Sequence, residues 1–473
     1  MTKAKVESVF PNDAQYGVVS KPYNLRFDYK PAAISFPKTT EEIVAVVTAA
    51  AAEGIPVSAK SGGHSYAAYG LGGKDGFLVV DLSKMKGLTV DSSGIADIQT
   101  GNLLGDVAQG LFKSGGKAIP HGTCPYVGTG GHSAFGGFGF TSRKWGLMLD
   151  VVVGHEVVLA NGSVVNTSET ENPDLFWALR GAGASFGIVS SLKVKTYDAP
   201  LIMTFFSFAW NFSSAEELSH AIISYQQFCI EAELSDEIGM EVNIGMGDTK
   251  GQVQFQLLGT LIGASSDLDP LVSPLLSKLP NNPEKTINQT DWLTSLELLA
   301  APQPLTPTAA SLQSNTDTFY AKSLVTPQAQ PATNESIKAL SNYFFNQGMS
   351  TSLNWFVQLQ LYGGKGSFIN SVPQESSSYL HRSSLWTIQL YASTGSNKTA
   401  FPSDGFEFID SMADSIVTNN PKDWAGGYLN YVDDKLADDV WPRFYYGEHY
   451  ERLTQIKSKY DPQNLFRYPQ AVQ

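Results

Sequence analysis

The chain has 473 residues, of which 42% are hydrophobic and 16% charged, so it is long enough for two or three domains and apolar enough to bury large cores. That composition excludes a disordered chain, a coiled coil and a disulfide-stapled miniprotein. Thirty-two basic residues against 45 acidic ones give a formal net charge of −13, which repels nucleic acid and anionic membrane surfaces alike.

The richest apolar stretch, Ile43 to Ala52, is far shorter than the roughly 20 residues needed to cross a bilayer. The opening Met1-Thr2-Lys3-Ala4-Lys5-Val6-Glu7 has no apolar h-region behind its basic residues, which fits a cytosolic protein or a mature chain given a new Met. Asn-x-Ser/Thr sequons occur at Asn161, Asn166, Asn211, Asn288, Asn334 and Asn397 and lean toward secretion, although chance supplies about three or four. The two cysteines, Cys124 and Cys229, lack metal-ligand spacing and leave open one bridge or two separate thiols.

In chain order, a short strand at Ala32 to Phe36 leads through Pro37 to a capping box, Thr39 with Glu42, which opens an apolar helix ending at Gly54. Strands follow at Ile55 to Ala59, Phe77 to Asp81 and Ile95 to Thr100. Between Gly101 and Gly146, 13 of 46 residues are glycine, a density that weakens regular structure and lets unshielded backbone amides approach a phosphate. Val151 to Ala160, the turn Asn161-Gly162 and Ser163 to Thr167 predict a hairpin, and a helix near Asp174 to Leu179 comes next. A second glycine patch, Gly181 to Gly187, feeds a strand from Ile188 to Thr196.

Beyond Pro200 the texture changes. Strands at Glu241 to Ile244, Gln252 to Leu258, Phe356 to Tyr362 and Trp386 to Tyr391 alternate with amphipathic helices such as Ala215 to Glu231, predicting a second domain on an antiparallel sheet. The Pro-, Thr-, Ser- and Gln-rich stretch from Ala300 to Gln330 reads as irregular loop over that sheet. A helix at Glu448 to Lys459, stopped at Tyr460-Asp461-Pro462, belongs to a C-terminal segment expected to return to the first domain. The division is therefore 1–200, 201–410 and 411–473.

Two constellations carry chemistry. Gly62-Gly63-His64-Ser65-Tyr66 follows a strand directly, and His121-Gly122-Thr123-Cys124-Pro125 puts a thiol among free amides, where a thiolate could be favoured as nucleophile. Neither a Gly-x-Gly-x-x-Gly fingerprint nor a P-loop lysine is present, so a dinucleotide held by these loops needs another fold.

Gly-Gly-His64-Ser-Tyr, His-Gly-Thr-Cys124-Pro-x-Val-Gly-x-Gly-Gly-His and the late Tyr428-Leu-Asn430-Tyr431 together resemble the berberine bridge enzyme-like branch of the vanillyl-alcohol oxidase flavoproteins, nearest the carbohydrate oxidases typified by glucooligosaccharide oxidase. The resemblance covers nearly the whole chain. It implies an α+β, two-domain fold and an FAD bonded twice, at its 8α carbon by His64 and at C6 by Cys124. It also implies that Ser61, Gly62, Gly63, Gly128 and Gly131 approach the pyrophosphate, with Gly187, Ile188, Val189 and Asn430 near the cofactor.

On the substrate side the resemblance makes Tyr431 the base that takes the C1 hydroxyl proton of a sugar, a task that a phenol titrating near 10 performs at neutral pH only in a setting favouring phenolate. The family's accompanying aspartate is here Gln360, which can orient the phenol but cannot take its proton. Tyr66 and Tyr428 would flank the sugar, Gln358 and Gln389 would bind its hydroxyls, Phe356 replaces a tryptophan, and Glu241 is a further contact. Val127 matches a small residue associated with oxygen access. The implied activity is a monomeric, secreted carbohydrate oxidase forming a 1,5-lactone and hydrogen peroxide. The rivals are a same-fold dehydrogenase, a secondary-metabolite oxidase and a flavin-free carbohydrate-binding protein.

Overall fold

A computed structural model describes residues 6–395 and 400–473. The sequon at Asn397 and the first five residues lie outside that range.

Three sheets position the site. In the first, Ala33–Ser35, Leu78–Asp81 and Val57–Lys60 run parallel, with Ser8–Val9 added antiparallel at one edge. The helix Thr40–Ala52 links two of these strands; Thr39 caps it by accepting from the Glu42 amide at 3.3 Å, while the Glu42 carboxylate reaches the Lys38 amide rather than closing the box. The second sheet is antiparallel, in the order Leu88–Val90, Ile95–Gln99, Ile188–Lys195, Val152–Val158, Val164–Thr167, and the last two are the expected Asn161-Gly162 hairpin.

The third sheet has seven antiparallel strands in the order Glu284–Thr290, Met203–Phe212, Val253–Ile262, Ile238–Met246, Asn354–Leu361, Ser384–Ser393, Phe319–Pro327. Period-two alternation divides its faces. Phe206, Phe208, Val242, Ile244, Val357, Leu359, Ile388 and Leu390 point one way, into a core shared with the helices Ala215–Glu231, Asn334–Tyr343 and Ser403–Val417. Their strand neighbours Glu241, Phe356, Gln358, Gln360 and Gln389 therefore point the other way.

Ala300 to Gln330 is not the irregular loop that its composition suggests. It contains the helix Ala309–Ser314 and the edge strand Phe319–Pro327, which pairs with Ser384–Ser393. Pro, Thr and Ser on either side dilute the window average, but Phe319 to Thr326 is aromatic and β-branched enough to be buried against a neighbouring strand. The glycine-dense region likewise holds a regular helix, Leu104–Lys113, before its irregular part.

Residues near the C-terminus close back on the first sheet. The Val57 amide donates to the Leu465 carbonyl at 2.9 Å, and the buried Lys457 ammonium donates to the Ser185 and Phe466 carbonyls at 2.6 and 2.7 Å and to Asp461 at 2.8 Å.

Burial also governs the histidines. It lowers His155, which is 2.9 Å from the Thr167 hydroxyl, to about 3, and His381 to about 4, against an ordinary value near 6.5. The unfolded chain binds protons there that the folded chain refuses, so their contribution is complete above pH ~6.5 and is lost as pH falls toward 4. The unfolding temperature should drop over that interval, and His155→Gln should make the drop shallower in calorimetry at stepped pH.

Candidate functional site

A cavity of about 600 Å³ lies between the first sheet, both glycine loops, the polar face of the seven-stranded sheet and the C-terminal loop. The strand Val57–Lys60 ends at its rim and delivers Ser61-Gly62-Gly63-His64. Gly62 meets Gly128 backbone to backbone: a Cβ built on Gly62 would lie 2.5 Å from the Gly128 nitrogen, and one on Gly128 only 2.0 Å from the Gly62 nitrogen. No side chain fits at either position. Of the second loop's amides, Thr129 N–H is taken by the Asn102 carbonyl at 3.0 Å and Gly130 N–H by Ser61 Oγ at 3.2 Å.

That crossing brings the imidazole and the thiol together. Cys124 Sγ is 3.8 Å from His64 Nε2, and the His64 ring stacks on Tyr23 with centroids 3.7 Å apart, while Asn315 Nδ2 approaches Nε2 at 3.3 Å. Burial lowers His64 to about 4, which keeps the ring neutral and its lone pair available. Burial raises the Cys124 thiol, and hydrogen bonds from the Tyr126 and Val127 backbone only partly oppose this, so the expected stabilised thiolate is not what the surroundings favour. Cys229 is a separate free thiol buried in the helix Ala215–Glu231, which excludes a bridge to Cys124.

The sheet supplies the opposite wall. Register sets Glu241 beside Gln360, Gln358 beside Gln389 and Phe356 beside Tyr391. Gln358 Nε2 donates to Glu241 Oε1 at 3.1 Å, and Gln360 Nε2 to Glu241 Oε2 at 3.2 Å. Gln360 Nε2 also lies 3.0 Å from Tyr431 Oη, positioned to donate to it, and the Tyr431 hydroxyl is 3.3 Å from Gln360 Oε1, positioned to donate in return. Gln389 Nε2 donates to Tyr66 Oη at 2.7 Å, and Tyr66 stacks on Tyr431 at 5.7 Å. Burial, then Tyr66, Tyr428 and Glu241, push Tyr431 well above 10, and the hydrogen bond with Gln360 opposes them.

Of the residues singled out in the sequence, Ser61, Gly62, Gly63, His64, Tyr66, Cys124, Val127, Gly128, Gly131, Gly187, Val189, Glu241, Phe356, Gln358, Gln360, Gln389, Tyr428, Asn430 and Tyr431 line the cavity. Ile188 does not. It packs in the core beneath the helix Thr40–Ala52, because alternation along its strand turns it away from the side that Gly187 and Val189 face. Tyr428 lines the cavity but spends its hydroxyl on the glycine loop, accepting from the Gly137 amide at 2.9 Å and from Asn430 Nδ2 at 3.0 Å. Sequence reasoning missed Tyr23, Asn315, Asp317 and Tyr391, which also line the cavity and carry no local motif. Asp317 accepts from the Tyr391 hydroxyl at 2.8 Å.

Residues 31–168 match the FAD binding domain family, and 427–473 the berberine and berberine-like family. The xylooligosaccharide oxidase of Thermothelomyces thermophilus is 38% identical over 475 residues, covering 100% of this chain and 93% of the relative. The chain belongs to the berberine bridge enzyme-like FAD-linked oxidoreductases. Its relatives in that family include the chitooligosaccharide oxidase of Gibberella zeae, 37% identical over 100% of this chain and 93% of its own length. A solved structure of glucooligosaccharide oxidase from Acremonium strictum, described as carrying a 6-S-cysteinyl, 8α-N1-histidyl FAD, superposes with a TM-score of 0.93 at 34% identity, covering 100% of this chain and 98% of that one.

The cofactor of this berberine bridge enzyme-like chain is FAD, and the residues present fit it: two glycine loops cross where any Cβ would intrude, and a neutral imidazole and a thiol adjoin at the cavity wall. Gly128→Ala must force the loops apart, at about 1–3 kcal/mol for overpacking. It should yield protein with substoichiometric FAD by absorbance, whereas Gly17→Ala, with nothing within 4 Å of the added carbon, should remain fully loaded.

Proposed function

We propose that the chain oxidises the reducing-end C1 hydroxyl of a mono- or oligosaccharide to the 1,5-lactone, with oxygen as acceptor and hydrogen peroxide as co-product. The observation that carries this reading is the sheet face of Gln358, Gln389 and Glu241, two amides and a carboxyl lining the same cavity as His64 and Cys124, with the Tyr66 phenol brought against it from the His64 loop. Amides and a phenol read hydroxyls without asking for charge, and aromatic faces such as Tyr66 and Phe356 pack on pyranose rings. The relatives named for xylo-, chito- and glucooligosaccharides support the same substrate class.

His64 and Cys124 would hold FAD covalently at 8α and C6, and Ser61, Gly62, Gly63, Gly128, Gly131, Gly187, Val189 and Asn430 would line its seat. FAD bound there would supply the acceptor for the hydride of the sugar's C1. Tyr431 Oη, in its phenolate form, would take the proton of the C1 hydroxyl, Gln358 and Gln389 would orient the ring's hydroxyls, and Val127 would leave room for oxygen. In this reading residues 1–200 hold the cofactor, 201–410 the substrate, and 411–473 bring Tyr428 and Tyr431 to the site.

The chain acts as a secreted, glycosylated monomer. Asn161, Asn166, Asn211, Asn288 and Asn334 are all exposed, which supports glycan attachment. Among the described residues no helix is long and apolar enough to cross a membrane.

Peroxide should form with cello-, xylo- or chitooligosaccharides, and silence across that panel would overturn the substrate assignment. Tyr431→Phe should lower kcat by about 100-fold or more, the usual share of a positioned base. After acid denaturation the yellow colour should stay with the polypeptide, and with each of His64→Ala and Cys124→Ala through the remaining link; free flavin from the parent protein would sink the covalent assignment.

A further inference from the structure

Fixing an imidazole takes two constraints, one on its plane and one on its rotation within that plane. His64 meets both, and neither comes from its own loop. Tyr23 stacks on the ring with centroids 3.7 Å apart and planes 22° from parallel, and Asn315 Nδ2 lies 3.3 Å from Nε2. Among the described residues the Asn315 amide has no other hydrogen-bond partner.

The two clamping residues are tied to each other and to the His64 loop. The Asp317 amide donates to the Tyr23 carbonyl at 3.1 Å and the Leu25 amide to the Asp317 carbonyl at 2.7 Å, which bridges their segments. Buried Asn24 donates to the Tyr66 and Phe319 carbonyls at 2.8 and 3.0 Å and accepts from the Phe319 amide at 3.2 Å. That joins the His64 loop to the strand following Asn315, so the amide is carried on a braced frame able to set the attitude of a ring.

We infer that Asn315 is a positioning residue for the attachment of FAD, holding His64 by Nε2 so that Nδ1 makes the bond to the 8α carbon. This rests on the reading that His64 bonds the cofactor, and the N1-histidyl FAD described for the Acremonium relative supports it. The ring's other hydrogen bond is with its own backbone, so among the described residues no other side chain claims Nδ1. An amide suits the ring before and after bonding. Its carbonyl can accept from Nε2–H, which leaves the Nδ1 lone pair free, and its N–H donates to Nε2 once Nδ1 is substituted. Burial lowers the ring's pKa to about 4, so near neutral pH the lone pair is not lost to a proton. Forming the N–C bond breaks one C–H bond of the 8-methyl group. That proton and the imidazole N–H proton, with the two electrons of the broken C–H bond, reduce the isoalloxazine ring, and molecular oxygen reoxidises it with release of hydrogen peroxide.

The experiment separates the two links. Full-length apoprotein from flavin-starved cells is given FAD in air, and covalent incorporation is followed by intact mass. Cys124→Ala reports the His64 link alone and His64→Ala the Cys124 link alone, each with and without Asn315→Leu. In the Cys124→Ala background Asn315→Leu should slow incorporation by about tenfold or more, since a misplacement of about 1 Å can cost about 100-fold. In the His64→Ala background it should leave the rate unchanged, because its contact is with the imidazole. Asn315→Ala, smaller but equally without the amide, should repeat both results. Equal rates with and without Asn315→Leu in the Cys124→Ala background would overturn the inference, as would a link found at Nε2 by NMR of the proteolytic flavopeptide. Equal slowing in both backgrounds, or weakened uptake of FAD, would make Asn315 a packing residue and overturn it as well. No incorporation in Cys124→Ala alone would overturn the His64 link itself, and the inference with it.

Discussion

Everything at this site depends on two chain segments touching without side chains. The loop leaving the first parallel sheet and the glycine-dense loop cross at Gly62 and Gly128 so closely that a methyl group on either would overlap the other's backbone. The crossing fixes the separation of His64 and Cys124, residues 60 positions apart in sequence, at 3.8 Å. It also keeps side chains out of the space in which a dinucleotide has to lie. Two reactive groups on one rigid junction can address neighbouring positions of a single ring system without a domain movement.

The seven-stranded sheet supplies the complementary surface by a simple division of labour. One face is apolar and sealed by three helices; the other is an array of amides, a carboxyl and aromatic rings held in register by the strands. Because register fixes which side chains are neighbours, Glu241, Gln360 and Tyr431 can be read as one chain of hydrogen bonds rather than three isolated contacts. A carboxyl displaced by one strand remains within reach through an intervening amide.

Burial without countercharge gives the cavity its electrostatic character. It keeps His64 neutral and pushes the Cys124 thiol, the Tyr431 phenol and the Glu241 carboxyl upward. A neutral saccharide brings no charge to desolvate on entering such a space. The cofactor and substrate then work on a frame that needs little rearrangement.

Much of this was legible in the sequence because it is local. The glycine loops, the Asn161-Gly162 hairpin and the helix Ala215–Glu231 depend on short-range pattern, and turn chemistry or periodicity exposes them directly, whereas His64, Cys124 and Tyr431 take their roles from motifs that resemble a known family. What the chain order could not reveal depends on partners distant in sequence. The strand Phe319–Pro327 is stabilised by pairing with Ser384–Ser393 and is hidden by its Pro- and Ser-rich flanks, while Ile188 faces the core because its strand's sides are chosen by what packs on each. Tyr23 and Asn315 reach His64 from opposite regions of the chain. That Glu241 is the neighbour of Gln360 across the sheet was decided by strand register, a property that only the folded sheet possesses.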